Sequence, residues 1–352
     1  MRKRSVSVSI LAAAIGLGSA AVLAQSVPIH PAVTNGGIWI SASELAGKPT
    51  SGAAWTALRR AADRLSGNAN LANQDSQHDT DTLAAALVYA RTGDTSYRNR
   101  ARTAIMSAPE SENGGRTLAL GRNLSGYIIA ADLIDLQSLS ASDDQRFRNW
   151  LSAVRRESLD GRSLIQTCEI RPNNWGTHAC ASRAAAAVYL GDNADLQRTA
   201  SVFRGWLGDR ASYAGFTYSE LDWQCDSNAP VGINPRGCTK EGHSIDGVLP
   251  DDQRRGGEFR WPPPQENYAW GGLQGAMVNA VILERAGFDA FSWSDNALLR
   301  AVTWLYEVND FPAEGNDTWL PWLANFAYGG DFATTPAQTG TNMGFTDWTH
   351  AP

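Results

Sequence analysis

The stretch NNWGTHACASRAAAAVYLGD, residues 173–192, decides how the rest of the chain is read. Pro172 and the paired asparagines make a loop, and Asn173 or Asn174 is a natural helix cap. The Ala-rich run from Ala179 to Leu190 stops at Gly191, a residue suited to the left-handed turn that ends a helix. With a helix beginning near Trp175, Asn174 and His178 lie four residues apart on one face at its N-terminus. An amide, an imidazole and the positive end of a helix dipole then surround one point, which suits a carboxylate or an enolate-like charge. The plainer reading is structural: Asn as a cap, Trp as packing, His as an ordinary partner.

Working outward, the pattern stays helical. Trp55, Leu58, Ala61, Ala62 and Leu65 fall on one helical face. Thr82–Ala90 and Tyr97–Met106 read as helices, and Leu118–Leu136 as a longer one with Leu124, Ile128, Ala131 and Ile134 at helical spacing. Phe147–Val154, Leu196–Leu207, Tyr268–Ala286 and Leu298–Val308 continue the series. Links such as Arg91–Asp94 and Gly191–Asn193 are short and polar, and no alternating β-rich block interrupts them. About ten helices in successive hairpins bury all their apolar stripes best as a ring of paired helices. The fold expected is therefore all-α, an incomplete (α/α) toroid or barrel of helical hairpins with a groove across one end. An α-solenoid is the alternative, but no fixed repeat period is present. The one long irregular stretch, about Tyr213 to Asn267, carries Cys225, Cys238 and the triple proline Pro262–Pro264. Its length predicts a wall or lid beside the groove.

The chain opens on Met1-Arg2-Lys3-Arg4, followed by an apolar run from Val6 to Leu23 and the small residue Ala24. This is the pattern of a signal peptide cut before Gln25. It predicts a leader at 1–24, a single catalytic domain at 25–352, a secreted or periplasmic location and no membrane attachment after cleavage. The formal charge is −6, and loss of the three cations Arg2, Lys3 and Arg4 leaves −9. An acidic chain without a basic run is a poor nucleic-acid binder, so a polyanion would have to be met by a local cluster of arginines. The four cysteines, Cys168, Cys180, Cys225 and Cys238, are expected as disulfides in an oxidising compartment. Local spacing favours Cys168–Cys180 and Cys225–Cys238 among the three pairings, and the lack of a close Cys-x-x-Cys pair argues against zinc.

A second cluster, Asp251-Asp252-Gln253-Arg254-Arg255-Gly256-Gly257, is followed by Arg260 and by Tyr268 at the start of an apolar helix beside Trp270. On spacing alone it reads as a solvated loop, with Tyr268 a core aromatic at the rim. Together with the 173–192 block, however, these residues resemble the alginate-lyase-like polysaccharide lyases, enzymes with an α/α-toroid fold. The resemblance extends to RNLSGYIIAADLI (Arg122 to Ile134), DGVLPDDQRRG (Asp246 to Gly256), the Tyr268 helix and WLPWLANFAYG (Trp319 to Gly329). It implies an Asn and a His on the first helix and an Arg and a Tyr from a later segment, which fall on Asn174, His178, Arg255 and Tyr268. Asn173, Trp175, Arg122, Arg254, Arg260 and Trp270 are the substrate-binding candidates beside them. Two departures stand out. Trp175 occupies the place after the second Asn where the family's His often sits, and the Arg255–Tyr268 segment is long and holds three prolines.

The chemistry implied is β-elimination on an anionic polysaccharide of uronic acids, alginate- or glucuronan-like, by a monomer. A uronate carboxylate makes the C5 proton weakly acidic once its charge is neutralised, a task for Asn174 and Arg255. His178 or ionised Tyr268 takes the proton, and Tyr268 protonates the departing oxygen. This route calls for no metal or cofactor. A glycoside hydrolase would instead need two opposed carboxylates among Glu220, Asp222, Glu241, Asp246, Asp252, Glu258 and Glu266. A non-catalytic glycan binder would stack sugars on Trp223, Trp261, Trp270, Trp319 or Trp322.

Overall fold

Described residues are 37–338 and 342–351 of a computed structural model, so the expected leader at 1–24 lies outside them. Fifteen α-helices occur among them. The first eight are α1 (Ala42–Ala46), α2 (Ala53–Arg64), α3 (His78–Thr92), α4 (Thr95–Met106), α5 (Thr117–Leu133), α6 (Leu136–Leu139), α7 (Ala141–Val154) and α8 (Leu164–Ile170). Then come α9 (Asn174–Leu190), α10 (Asn193–Trp206), α11 (Pro250–Gln253), α12 (Asn267–Arg285), α13 (Trp293–Thr303), α14 (Leu320–Tyr328) and α15 (Thr346–Thr349). A two-residue hairpin, β1 (Thr239–Lys240) against β2 (His243–Ser244), is the sole sheet among the described residues.

Two kinds of helix divide the labour. Helices α2, α7 and α10 bury one stripe and expose polar side chains elsewhere. Helices α3, α5, α9 and α12 are buried over most of their length and carry no wholly polar face. These four pack in sequence, α3 on α5, α5 on α9, α9 on α12, and α14 continues the arc from α12. The outer helices cover them: α2 and α4 lie on α3, α7, α8 and α10 on α9, and α13 on α12 and α14. Helix α15 lies between α14 and α2. The result is an all-α, incomplete α/α toroid, as the hairpin pattern predicts.

Close approach of the inner helices depends on missing side chains. A methyl group at Gly275 of α12 would sit 2.3 Å from the His178 nitrogen, and one at Gly121 of α5 would sit 3.0 Å from the Ala179 nitrogen. Further along, the Ser125 N–H donates to Ser182 Oγ at 3.0 Å. The paired positions rise together along α5 and α9, as do Gly271 with Asn174 and Gly275 with His178 along α9 and α12. These three inner helices are therefore parallel, and their N-termini share one end of the ring.

Helix α9 is also anchored from outside. Arg155 reaches Asp192 at 2.6 Å and Asp195 at 2.7 Å, while Arg183 reaches Asp195 at 2.7 Å and Glu169 at 3.0 Å. Both arginines are buried, so each needs these carboxylates to offset the loss of water. Disulfides join Cys168 to Cys180, tying α8 to α9, and Cys225 to Cys238 within the long segment before α12. Both match the local pairing.

Several boundaries differ from the sequence reading. The single helix expected over Leu118–Leu136 breaks because Asp135 adopts a left-handed conformation and caps α6 through Ser138. The Leu298–Val308 helix ends at Thr303 and widens into a π-turn over Trp304–Val308. Helices α1, α8, α11, α14 and α15 lie outside the stretches whose spacing predicts a helix.

The glycine contacts generate a stability prediction. Gly275→Ala forces a methyl group against the α9 backbone, which cannot yield without moving the helix. A loss of at least about 2 kcal/mol is expected, read as a lowered urea midpoint with an unchanged slope.

Candidate active site

The first polar contacts at the N-terminus of α9 are made by its own cap and by a distant aspartate. Asn173 Oδ1 accepts the Trp175 N–H at 3.2 Å, and Asp252 Oδ1 accepts the Asn174 N–H at 3.1 Å. With its backbone satisfied, Asn174 is left with a buried side-chain amide nitrogen that has no partner. Gly271 faces that amide across a gap in which a methyl group would stand 3.7 Å away.

A cavity of about 370 Å³ opens at this point, lined by Asp75, Arg122, Asn174, Asn267, Tyr268, Gly271, Gln274, Asn316 and Asp317. These residues come from the N-terminal turns of α5, α9 and α12 and from the turns that precede α3 and α14. Helix dipoles therefore point their positive ends toward the hollow. Arg122 is the cation within it. Its side chain is 15 % exposed, its nearest carboxylate is Asp75 at 3.7 Å, and its buried Nε has no partner. Tyr268 is 42 % exposed, and the Arg255 guanidinium lies over its ring with 4.5 Å to the centroid. Asp317 is buried, and its Oδ1 accepts the Gln274 Nε2–H at 2.6 Å. A larger hollow of about 470 Å³ shares no residue with this one, and the Asp246–Arg300 pair on its wall is already matched.

The structure thus brings Asn174, Tyr268 and Arg122 together and sets Arg255 on the tyrosine. It treats the remaining candidates differently. His178 has no exposed surface; its Nδ1 is 3.3 Å from Asn342 Nδ2, and its Nε2 is unpartnered. Burial, reinforced by the charge of Arg122, holds its pKa well below the usual imidazole value, so it is neutral and behind the cavity wall. Trp270 is fully buried with its indole N–H on the Phe311 carbonyl at 3.2 Å, which corrects the expectation that it stacks on a sugar. Arg254 is engaged by Glu220 at 2.8 Å and Asp251 at 3.0 Å. Arg260 is exposed and does not line the cavity. Trp175 is half-buried, with Arg116 at 5.1 Å and Arg171 at 5.4 Å over its ring, so guanidinium groups occupy the surface a sugar would need.

None of the seven acids considered for a hydrolase lines the cavity. Asp252 is buried as the backbone partner of Asn174, and Glu266 caps α12 by accepting the Tyr268 N–H at 3.1 Å. Asp75, Gln274 and Asp317 do line it, and sequence reasoning missed all three.

A model of the alginate lyase family matches residues 48–224, just over half of the 352 residues. The chain belongs to the alginate lyase family. It is accordingly a polysaccharide lyase, and a polysaccharide is its substrate. No curated protein matches the chain. Within this lyase the matched stretch supplies Arg122 and Asn174, while Tyr268, Gln274 and Asp317 lie beyond it.

Asp252 gives the site a pH signature. Burial raises its pKa well above the usual carboxylate value, against the smaller opposing effect of the Asn174 N–H. A raised folded pKa means that ionisation opposes folding. The penalty is absent below the unfolded pKa, near 4, and grows as pH rises toward the folded one. Asp252→Asn keeps the acceptor for Asn174 and removes the ionisation. Its melting temperature should therefore match the wild type at about pH 4 and exceed it increasingly toward about pH 8. An identical difference at both values would show that Asp252 is ionised in the fold.

Proposed function

We propose that this lyase is exported and cleaves a polyuronate, alginate- or glucuronan-like, by β-elimination. The observation that carries the reading is Arg122: a nearly buried guanidinium with one distant carboxylate, facing a cavity beside the free amide of Asn174 and the hydroxyl of Tyr268. A uronate carboxylate supplies the missing counter-charge. The N-terminal leader pattern and the two disulfides support export.

In this mechanism Arg122 and Asn174 hold the carboxylate of the sugar whose C5–H bond will break. Their hydrogen bonds strengthen as negative charge spreads from C5 into the carboxyl group. Deprotonated Tyr268 takes the C5 proton. The electron pair forms the C4–C5 double bond, and the C4–O bond to the neighbouring sugar breaks. Tyr268 then returns its proton to the departing oxygen, which becomes the anomeric hydroxyl of a new reducing end. Arg255, over the ring rather than in the cavity, holds the phenol in place. His178 is assigned no proton transfer because it has no access to the sugar.

The test is a scan of alginate, glucuronan and glucuronate-containing heteropolymers, reading the ultraviolet absorbance of the conjugated product. Polymers of neutral sugars should give none. Tyr268→Phe keeps the packing and loses the proton-transferring atom. Its turnover should fall by roughly two to four powers of ten while its melting temperature is unchanged. Near-wild-type elimination by this variant would remove Tyr268 from the chemistry. Arg122→Ala should lower kcat/KM roughly ten- to a hundredfold, the scale of one hydrogen bond to a charged group. An Arg122→Ala enzyme with wild-type kinetics would return the carboxylate to Arg255.

A further inference from the structure

A buried acid in the wall of a cavity that receives an anion opposes binding when it is ionised and without a cation of its own. Asp317 is such an acid. It ends the turn before α14, is 3 % exposed, and lines the same cavity as Arg122. Oδ1 is held by Gln274 at 2.6 Å, and Oδ2 takes no hydrogen bond among the described residues. Arg122 acts on Asp317 electrostatically, yet the two form no ion pair within 4.0 Å. Space for a third group therefore lies beside both.

The other groups facing Asp317 leave its charge uncompensated. Helix α5 contributes Arg122, already shared with Asp75 from the turn before α3. Helix α12 contributes Tyr268 and Gln274, and α9 contributes only the neutral amide of Asn174, with neutral His178 buried behind it. Burial pushes the Asp317 carboxyl up to about 6, although Gln274 and Arg122 both favour its ionised form.

We propose that Asp317 is a specificity-determining residue that recognises the uronate as a neutral acid, its Oδ2 hydroxyl donating a hydrogen bond to the sugar carboxylate held by Arg122. The proposal rests on the polyuronate reading above. The substrate carboxylate can share a proton-bearing oxygen with Asp317 but is repelled by its ionised form. Gln274 fixes Oδ1 as the acceptor and so leaves Oδ2 as the oxygen that carries the proton into the cavity.

Binding then becomes proton-linked. Below the Asp317 pKa, affinity is independent of pH. Above it, the acid must take up a proton for the sugar to bind, and Kd rises about tenfold per pH unit. The experiment measures Kd of a saturated oligouronate by calorimetry at constant ionic strength between about pH 5 and pH 8. It uses the full-length Tyr268→Phe enzyme, in which turnover is slowed. Kd should be flat up to about pH 6 and rise about tenfold per unit beyond it. Adding Asp317→Asn should flatten the profile over the whole range, because the amide still accepts from Gln274 and donates to the sugar without titrating. Adding Gln274→Leu instead should move the break to higher pH, since it removes a hydrogen bond that favours the ionised acid. This second variant tests the idea even if Asp317→Asn does not fold. A pH-independent Kd in the Tyr268→Phe enzyme, or an unchanged break in either added variant, would overturn the proposal. A wild-type enzyme inert on every polyuronate, with no oligouronate bound at any pH, would overturn the polyuronate reading and this proposal with it.

Discussion

Contact between helix backbones at Gly121 and Gly275 is the constraint on which the rest of this molecule depends. Helix α9 is gripped on two sides by neighbours that present no side chain at the point of closest approach. The grip fixes translation along the helix axes, because only one register lets each glycine meet the α9 backbone. With register fixed, Arg122 in the second turn of α5, Asn174 at the start of α9 and Tyr268 at the start of α12 arrive at one level. A slip of one residue would advance a helix by about 1.5 Å and rotate its side chains away from the cavity. The site is thus a consequence of packing in the ring rather than of any local motif.

Placing a site at the shared N-terminal end of inner helices has an electrostatic benefit and an electrostatic cost. Unpaired N–H groups and helix dipoles make that end attractive to anions before any cationic side chain is added. The same end draws acidic side chains that compete for the position. Asp252 takes one helix N–H and is sealed under the wall, where burial raises its pKa and lessens its negative charge. Asp317 is similarly raised, and Gln274 holds it away from Arg122. Arg183 and Arg155, by contrast, sit with full sets of carboxylates on the outer side of α9. Paired arginines brace the helix, and the loosely paired Arg122 faces the cavity.

Much of the ring was legible in the sequence, because apolar spacing and glycine stops report helices directly. Asn174 was legible too, at the first turn of a strongly patterned helix, whereas Tyr268, a rim aromatic on spacing alone, was singled out by the resemblance to the family. The errors have geometric causes. Trp270 lies two residues from Tyr268, which puts it on the opposite side of α12 and in the core. His178 shares a face with Asn174 but lies one turn deeper, about 6 Å further along the axis and past the floor of the cavity. Asp75 and Asp317 stand in turns whose sequences carry no periodicity, and only the closing of the ring brings their distant segments together. Helix α8 is short, and one of its two buried apolar residues, Cys168, serves the disulfide, so its pattern is too brief to read.

The departure at Trp175 also acquires a physical meaning in the fold. An imidazole at this position would follow Asn174 at the cavity mouth, whereas the indole gathers Arg116 and Arg171 over its ring. Burial, joined by the like charges of Arg162 and Arg255, lowers the hold of Arg171 on its proton, against the nearby carboxylates of Asp160 and Asp251. On the polyuronate reading proposed above, the sugar carboxylates supply a counter-charge to Arg171. On the mechanism proposed above, an indole in place of an imidazole leaves proton transfer to the exposed phenol of Tyr268, whose ring is likewise covered by an arginine.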